Sequence, residues 1–197
     1  MPAIPIAVNY GGILKEIQMV QTDIEIICDH IKKMPEDGLM VEWGSGGSTC
    51  KWIETLTGNQ KLITIEHNEN WYNRVTRAVN AEFSNIGNKF KFYHKPELHI
   101  IQHGYGNIIE EHPCGVEEYI NPDNDIWNAD FFFVDGIARG ACVSTILHKR
   151  KKQDSVIMIH DYVGREYWYE WVVQFFDVKV FTDVNEFSTL SILTLKK

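Results

Sequence analysis

Leu39-Met40-Val41-Glu42-Trp43-Gly44-Ser45-Gly46-Gly47-Ser48-Thr49 is the stretch whose reading decides the rest of the chain. It begins as a short apolar strand with an acidic residue at its end, passes through a glycine turn and opens a helix. Gly44 and Gly46 carry no Cβ, so the backbone can turn tightly there and a ligand can come close. Ser48 or Thr49 can cap the helix, whose free N–H groups suit a carboxylate or a phosphate. A strand followed by G-x-G also opens dinucleotide-binding folds and ordinary tight turns. The dinucleotide fingerprint asks for a third glycine where this chain has Thr49, which weighs against NAD.

The flanking sequence repeats the strand–helix alternation. Lys61 to Glu66 forms a second strand, and Glu66 ends it 66 − 42 = 24 residues after Glu42, one strand–helix–strand unit. An acid at that point is placed to bind a ribose diol. His67 or Asn68 could reach the same ribose or merely shape the turn, and Asn68 can cap the next helix, with Trp71, Tyr72, Val75 and Val79 as its buried stripe. A third strand spans 89–93. Asp130 to Gly136 is a fourth, apolar enough to be buried on both faces and ending in Asp135. A helix from Ala138 to Lys149 leads to a fifth strand, 155–159, which ends in His160-Asp161-Tyr162. A further helix is marked by Trp168, Trp171, Val172 and Phe175. Strands at 178–182 and 188–195 then form a terminal hairpin.

Before the motif, residues 1–21 read as an irregular lead-in, and Thr22-Asp23-Ile24-Glu25 as a capping box opening a helix to Lys33. Residues 94–128 read as an insertion. Its His99 and His103 have the i, i+4 spacing of a helical metal pair, but Gly104 and Gly106 oppose a helix there.

At 197 residues the chain suits one domain, with 1–37 as lead-in and helix and 38–197 as an α/β core. A net charge of −8 opposes a broad nucleic-acid surface, and the single basic run, His148 to Lys152, fits a helix C-terminus. Cys28, Cys50, Cys114 and Cys142 form no C-x-x-C pair, so a reducing, cytoplasmic setting is expected. There is neither a signal-peptide pattern nor an apolar run of membrane-spanning length, so no membrane partner is expected.

The E-x-G-x-G spacing, the acids after successive strands and the terminal hairpin together resemble the class I S-adenosylmethionine (SAM) dependent methyltransferases. The resemblance implies a Rossmann-like α/β fold, with a mostly parallel seven-stranded sheet, an antiparallel last strand and helices on both faces. It also implies that Gly44, Ser45, Gly46, Ser48 and Thr49 hold the methionine part of SAM, with Glu42 at its amino group. Glu66, His67 and Asp135 would complete the cofactor site. The stretches FFFVDG (131–136) and VIMIHDY (156–162) are similar to sugar O-methyltransferases of the macrocin-methyltransferase type. In these and in the catechol-type enzymes, acids after strands four and five hold a divalent cation. Carried over, the magnesium or manganese ligands would be Asp135, His160 and Asp161, and the same three would be the catalytic residues, with His160 equally suited to be the general base. The D-G-x-x-R and H-D-Y-x-x-R patterns are similar to those of plant glucuronoxylan methyltransferases and suggest Arg139, Tyr162 and Arg165 as substrate residues. The expectation is an O-methyltransferase acting on a sugar or glycan hydroxyl and releasing S-adenosylhomocysteine. Its rivals are another small hydroxylated acceptor, an NAD-dependent oxidoreductase and a non-catalytic SAM-binding module. The sequence leaves the oligomeric state open.

Overall fold

The computed structural model describes residues 5–96, 115–122, 125–163, 165–181 and 190–196. In chain order the strands and helices there are β1 (Ile6–Tyr10), β2 (Leu14–Ile17), α1 (Gln21–Lys33), β3 (Leu39–Trp43), α2 (Gly47–Thr55), β4 (Lys61–Glu66), α3 (Glu69–Glu82), β5 (Phe90–His94), α4 (Glu117–Ile120), β6 (Phe131–Val134), α5 (Arg139–Lys149), β7 (Val156–Ile159), α6 (Val172–Phe175), β8 (Phe176–Val180) and β9 (Ser191–Leu195).

Strand β3 lies at the heart of a seven-stranded sheet of order β5-β4-β3-β6-β7-β9-β8. It pairs in parallel with β4 and β6, and β9 runs antiparallel to both β7 and β8. Alternate residues serve two cores. Val41, Trp43, Phe132, Val134, Ile157 and Ile159 face one layer with Cys142, Val143 and Ile146 of α5. Met40, Leu62, Phe131, Phe133 and Met158 face the other, under α1, α2 and α3. This is why β6 and β7 are apolar at every position, as a sheet covered on both faces requires. Each large apolar side chain so buried contributes about 1.5–3 kcal/mol. The expected Rossmann-like methyltransferase topology is the one observed. Among the described residues no helix is long and apolar enough to cross a membrane.

Four local expectations need correction. The supposed irregular lead-in contains the antiparallel pair β1–β2, turned by Gly11 and Gly12 at φ +56° and +70°, the two consecutive left-handed residues that a tight hairpin needs. Leu14 and Ile17 of this hairpin are buried in the second core. Thr22 to Glu25 is no capping box, because α1 already begins at Gln21, its N-cap is Val20, and no side chain caps it. Trp71 is not in the buried stripe of α3, which is Val75, Ala78 and Val79, and is 41% exposed. The helix expected around 168–175 is a 3-10 turn, Glu166–Tyr169, followed by the one-turn α6, with Val172 buried and Phe175 turned outward. Within the supposed insertion, Tyr119, Ile120, Ile126 and Trp127 join the first core. His99, His103, His112 and Cys114 lie outside the described residues.

Candidate active site at the carboxyl edge of the sheet

The parallel strands β3, β4, β6 and β7 bring their carboxyl ends together, and the loops leaving them build the site. Gly44 sits at φ +88°, where a Cβ would lie 2.7 Å from the Cα and N of Gly136. Two loops therefore cross here with no room for a side chain. At Gly47 a Cβ would meet the Glu16 carbonyl oxygen at 2.2 Å, so the hairpin rests directly on the start of α2. Gly46 is different. Its backbone is extended, and the nearest atom to a Cβ there would be Ser48 Oγ at 3.9 Å. Its missing side chain leaves space rather than relieving a contact.

Beneath the turn lies Glu42, fully buried. Thr49 Oγ1 and Thr64 Oγ1 donate to its Oε2 at 2.9 and 2.8 Å, and Trp52 Nε1 donates to Oε1 at 2.9 Å. Thr49 in turn accepts from Gly46 N at 3.1 Å, so the helix start hangs from the buried carboxyl. Burial pushes the Glu42 carboxyl up to about 8, against the pull of the Thr64, Thr49 and Trp52 hydrogen bonds. Glu42 thus supports the turn from below, and its oxygens already have protein partners, unlike a residue aimed at a ligand's amino group. Thr49, expected to line the cofactor, is likewise fully buried.

Glu66 fixes the turn from the side. Its Oε2 accepts from Ser45 N at 2.8 Å and Ser45 Oγ at 2.6 Å, and its Oε1 accepts from Asn68 N at 2.8 Å and faces His67 Nδ1 at 3.1 Å. Burial would raise this carboxyl, but the His67 and Ser45 hydrogen bonds and the His67 charge outweigh it and hold it below the usual range. Asn68 caps α3 by accepting from Trp71 N.

A cavity of ≈ 200 Å³ opens over this turn. Ser45, Gly46, Gly47, Ser48 and Asp135 form one wall, β2 with Gln18 and Met19 faces them, and Trp71 and Arg74 close one end. The Arg74 guanidinium lies 5.0 Å from the Trp71 ring centre and donates to the Ile13 carbonyl, which ties the hairpin turn to α3. Trp71, Arg74 and the hairpin are site features that the sequence reading missed. The Gly11-Gly12 pair was the available signal for the hairpin.

Next to Asp135 lies a cluster of charges. His160 Nδ1 is 3.0 Å from Asp135 Oδ1 and 3.5 Å from Asp161 Oδ1, and its Nε2 is 3.5 Å from Asp23 Oδ2 of α1. Asp23 was also missed, because it was read only as part of the Thr22 to Glu25 capping box. Burial pulls the His160 imidazole down, but Asp135, Asp23 and Asp161 together push it up to about 10. Arg139, expected to touch substrate, is instead buried. It donates to the carbonyls of Gly136, Asp135 and His160 and pairs with Asp135 at 3.4 Å and Asp161 at 3.2 Å. Tyr162 is buried against Tyr169, ring centres 5.4 Å apart, and does not face the cavity. Arg165 is half-exposed, 3.5 Å from Asp161. Burial raises the Asp161 carboxyl, but Arg139, His160 and Arg165 hold it below its ordinary value. Asp161 also adopts φ +54°, an uncommon conformation that aspartate tolerates better than most residues.

The spacing of Asp135, His160 and Asp161 would admit an ion, since one donor atom from each lies within 4.8 Å of the others. Their bonding does not fit one. His160 Nδ1 is hydrogen-bonded to Asp135 and its Nε2 faces Asp23 at 3.5 Å, so neither nitrogen is turned to open space. Arg139 already lies against the same Asp135 oxygen and against Asp161. Three carboxylates, Asp23, Asp135 and Asp161, are balanced by His160, Arg139 and Arg165. A divalent cation would have to displace the Arg139 guanidinium.

No family model and no curated protein matches this chain. Solved structures do. A methyltransferase-like protein from Silicibacter pomeroyi matches with a TM-score of 0.69 at 16% identity, over 93% of this chain and 90% of that one. The O-methyltransferase from Bacillus cereus, in complex with S-adenosylhomocysteine (SAH), matches at 0.62 and 13%, over 90% and 82%. The precorrin-6y C5,15-methyltransferase from Geobacter metallireducens matches at 0.59 and 10%, over 95% of each chain. At these identities the likeness shows the fold, and the fold of this chain is the one those methyltransferase structures share.

Proposed function

We propose that the protein is a SAM-dependent O-methyltransferase whose acceptor is a hydroxyl of a sugar or glycan. The observation that carries this reading is the open space at Gly46, in a cavity lined by the glycine turn together with Asp135. A cofactor with an amino-acid tail fits there, because Gly46 leaves room and the first turn of α2 presents N–H groups that suit a carboxylate. Bound in that place, SAM would supply a methyl group on a sulfonium, which needs no covalent enzyme intermediate. Asp135 would accept the proton of the attacking hydroxyl, with His160 and Arg139 holding its carboxylate in place. Holding the reacting atoms in line would supply much of the acceleration. The cavity wall offers Lys15, Glu16, Gln18, Ser45 and Ser48 beside the exposed Trp71, a mixture of polar groups and an aromatic face that favours a hydroxylated ring. The neutralised cluster favours a reaction that runs without a divalent cation. The net charge of −8 favours a small-molecule or glycan acceptor over nucleic acid.

Calorimetry with SAM and with NAD tests the cofactor, and conversion of SAM to SAH across a panel of sugars, with and without EDTA, tests the reaction. Saturable SAM binding and sugar-dependent, EDTA-insensitive turnover are expected. Binding of NAD in place of SAM would overturn the reading.

A further inference from the structure

Strand β8 closes one side of the main sheet. Among the described residues it pairs with β9 alone, so its other edge has no strand beside it. Phe181 N donates to the Leu190 carbonyl and Lys196 N to the Phe175 carbonyl, each at 2.9 Å. Bonded and non-bonded partners alternate along an antiparallel pair. The register from Phe176↔Leu195 to Val180↔Ser191 is unbroken, so the odd-numbered residues bond to β9. Phe176, Val178 and Val180 turn their N–H and C=O groups to the open edge. Side chains alternate as well. Phe176, Val178 and Val180 pack on the first core, while Asp177 and Lys179 are exposed on the other face.

An open edge is a template for another strand, and proteins commonly guard it with charge. Here the two charges have opposite sign and sit either side of Val178. A second β8 laid antiparallel about a two-fold axis at Val178 puts Asp177 opposite Lys179 of the second copy, and Lys179 opposite its Asp177. Opposite charges directly across are favourable and like charges unfavourable. On the other face Phe176 meets Val180 of the second copy, and the half-buried Val178 meets its own counterpart. Phe175, just before the strand, is 47% exposed and comes opposite Phe181 of the second copy. The outward N–H and C=O groups of Phe176, Val178 and Val180 then all find partners. The opposite edge of the sheet, β5, does not match itself in this way. Centred on its own middle residue, Phe92, it sets Lys89 against Lys95.

We infer that the protein associates with a second copy of itself through β8, antiparallel about a two-fold axis at Val178, so that the two main sheets become one. The association uses none of the cavity residues and stands whatever the cavity binds.

Light scattering on the full chain eluting from a size-exclusion column, over a range of loading concentrations, tests it. Twice the mass of one chain is expected at high concentration, falling toward one chain on dilution, because so short a strand pair buries little area for a permanent dimer. Asp177→Lys sets lysine against lysine, and Lys179→Asp sets aspartate against aspartate. Each is expected to be monomeric where the wild type is dimeric, with native circular dichroism, since both residues are exposed. Mixed in equal amounts, the two variants set lysine against aspartate at both crossings, and the dimer is expected to return. Val178→Pro removes an outward N–H but no bond to β9, and should also abolish the dimer. A wild type that is monomeric at every concentration overturns the inference. A dimer that survives Val178→Pro and both charge changes overturns it too, because it is built on another surface. A mixture that stays monomeric rejects the register. Should Val178→Pro fail to fold, the charge variants decide.

Discussion

Gly44 and Gly46 are two residues apart and identical in chemistry, yet they do different work. Gly44 has a positive φ and no room beside Gly136, so Gly44→Ala carries both strain and a clash. It is expected to destabilise the fold by roughly 1–3 kcal/mol, read in a urea titration. Gly46 has an ordinary extended backbone and open space. Gly46→Val should keep native circular dichroism and melting and lose SAM binding in calorimetry; unchanged affinity would remove the cavity from the argument. Glu42 carries a second prediction. Its carboxyl is raised to about 8 in the folded chain and titrates near its ordinary value of 4.5 when unfolded. The folded state therefore holds the proton more tightly, so this contribution to stability is full below pH 4.5 and is lost as pH rises toward 8. Glu42→Gln, which cannot ionise, is expected to be the less stable protein at pH 5, and its deficit should shrink by roughly 1–3 kcal/mol by pH 8. Parallel pH profiles for the two would show that Glu42 does not titrate in this window. From the sequence, the E-x-G-x-G pattern located the turn correctly but could not separate residues that face the cavity from residues that hold it up. Glu42 and Arg139 lie within motifs, and their burial depends on partners such as Thr64, 22 residues on, and His160, 21 residues on, that no local pattern specifies.

Among elements, the five parallel-core segments and the terminal hairpin were legible because each is an apolar run or an alternating stretch bounded by turn residues, a signal that survives without knowledge of its neighbours. Short elements were not. β1 and β2 have five and four residues; β1 alternates over only five positions and β2 not at all, too short a signal to stand alone. The run of aromatics near 171–175 looked like a helical stripe, but only part of it is covered. The hairpin matters because it forms the wall facing the glycine turn. Gly47→Ala would drive a methyl group into the Glu16 carbonyl oxygen, 2.2 Å away. β2 has to lift off, so hydrogen exchange over 6–17 should quicken and SAM affinity should fall, with the strands of the main sheet still protected. Faster exchange with unchanged affinity would mean that the hairpin is not a wall of the cofactor site.

At the scale of the whole molecule, the strand order β5-β4-β3-β6-β7-β9-β8 gathers Glu42, Glu66, Asp135 and Asp161, at or just beyond the carboxyl ends of four strands, onto one edge. The fold alone does not choose an acceptor, since the structures sharing it include an O-methyltransferase and a precorrin methyltransferase. The overall charge narrows the choice. At −8, with one short basic run, the protein is expected to bind duplex DNA weakly and with a small salt slope in fluorescence anisotropy. Tight binding at physiological salt would move the substrate class to nucleic acid.

One further consequence follows from β9 lying between β7 and β8. Among the described residues β8 has no hydrogen-bonding neighbour in this sheet except β9. Until residues 191–195 pair, β7 and β8 both present unpaired strand edges. A chain whose last strand is frayed or clipped would expose the flank of β7 that Ile157, Met158 and Ile159 share with β9, and other copies would meet it there.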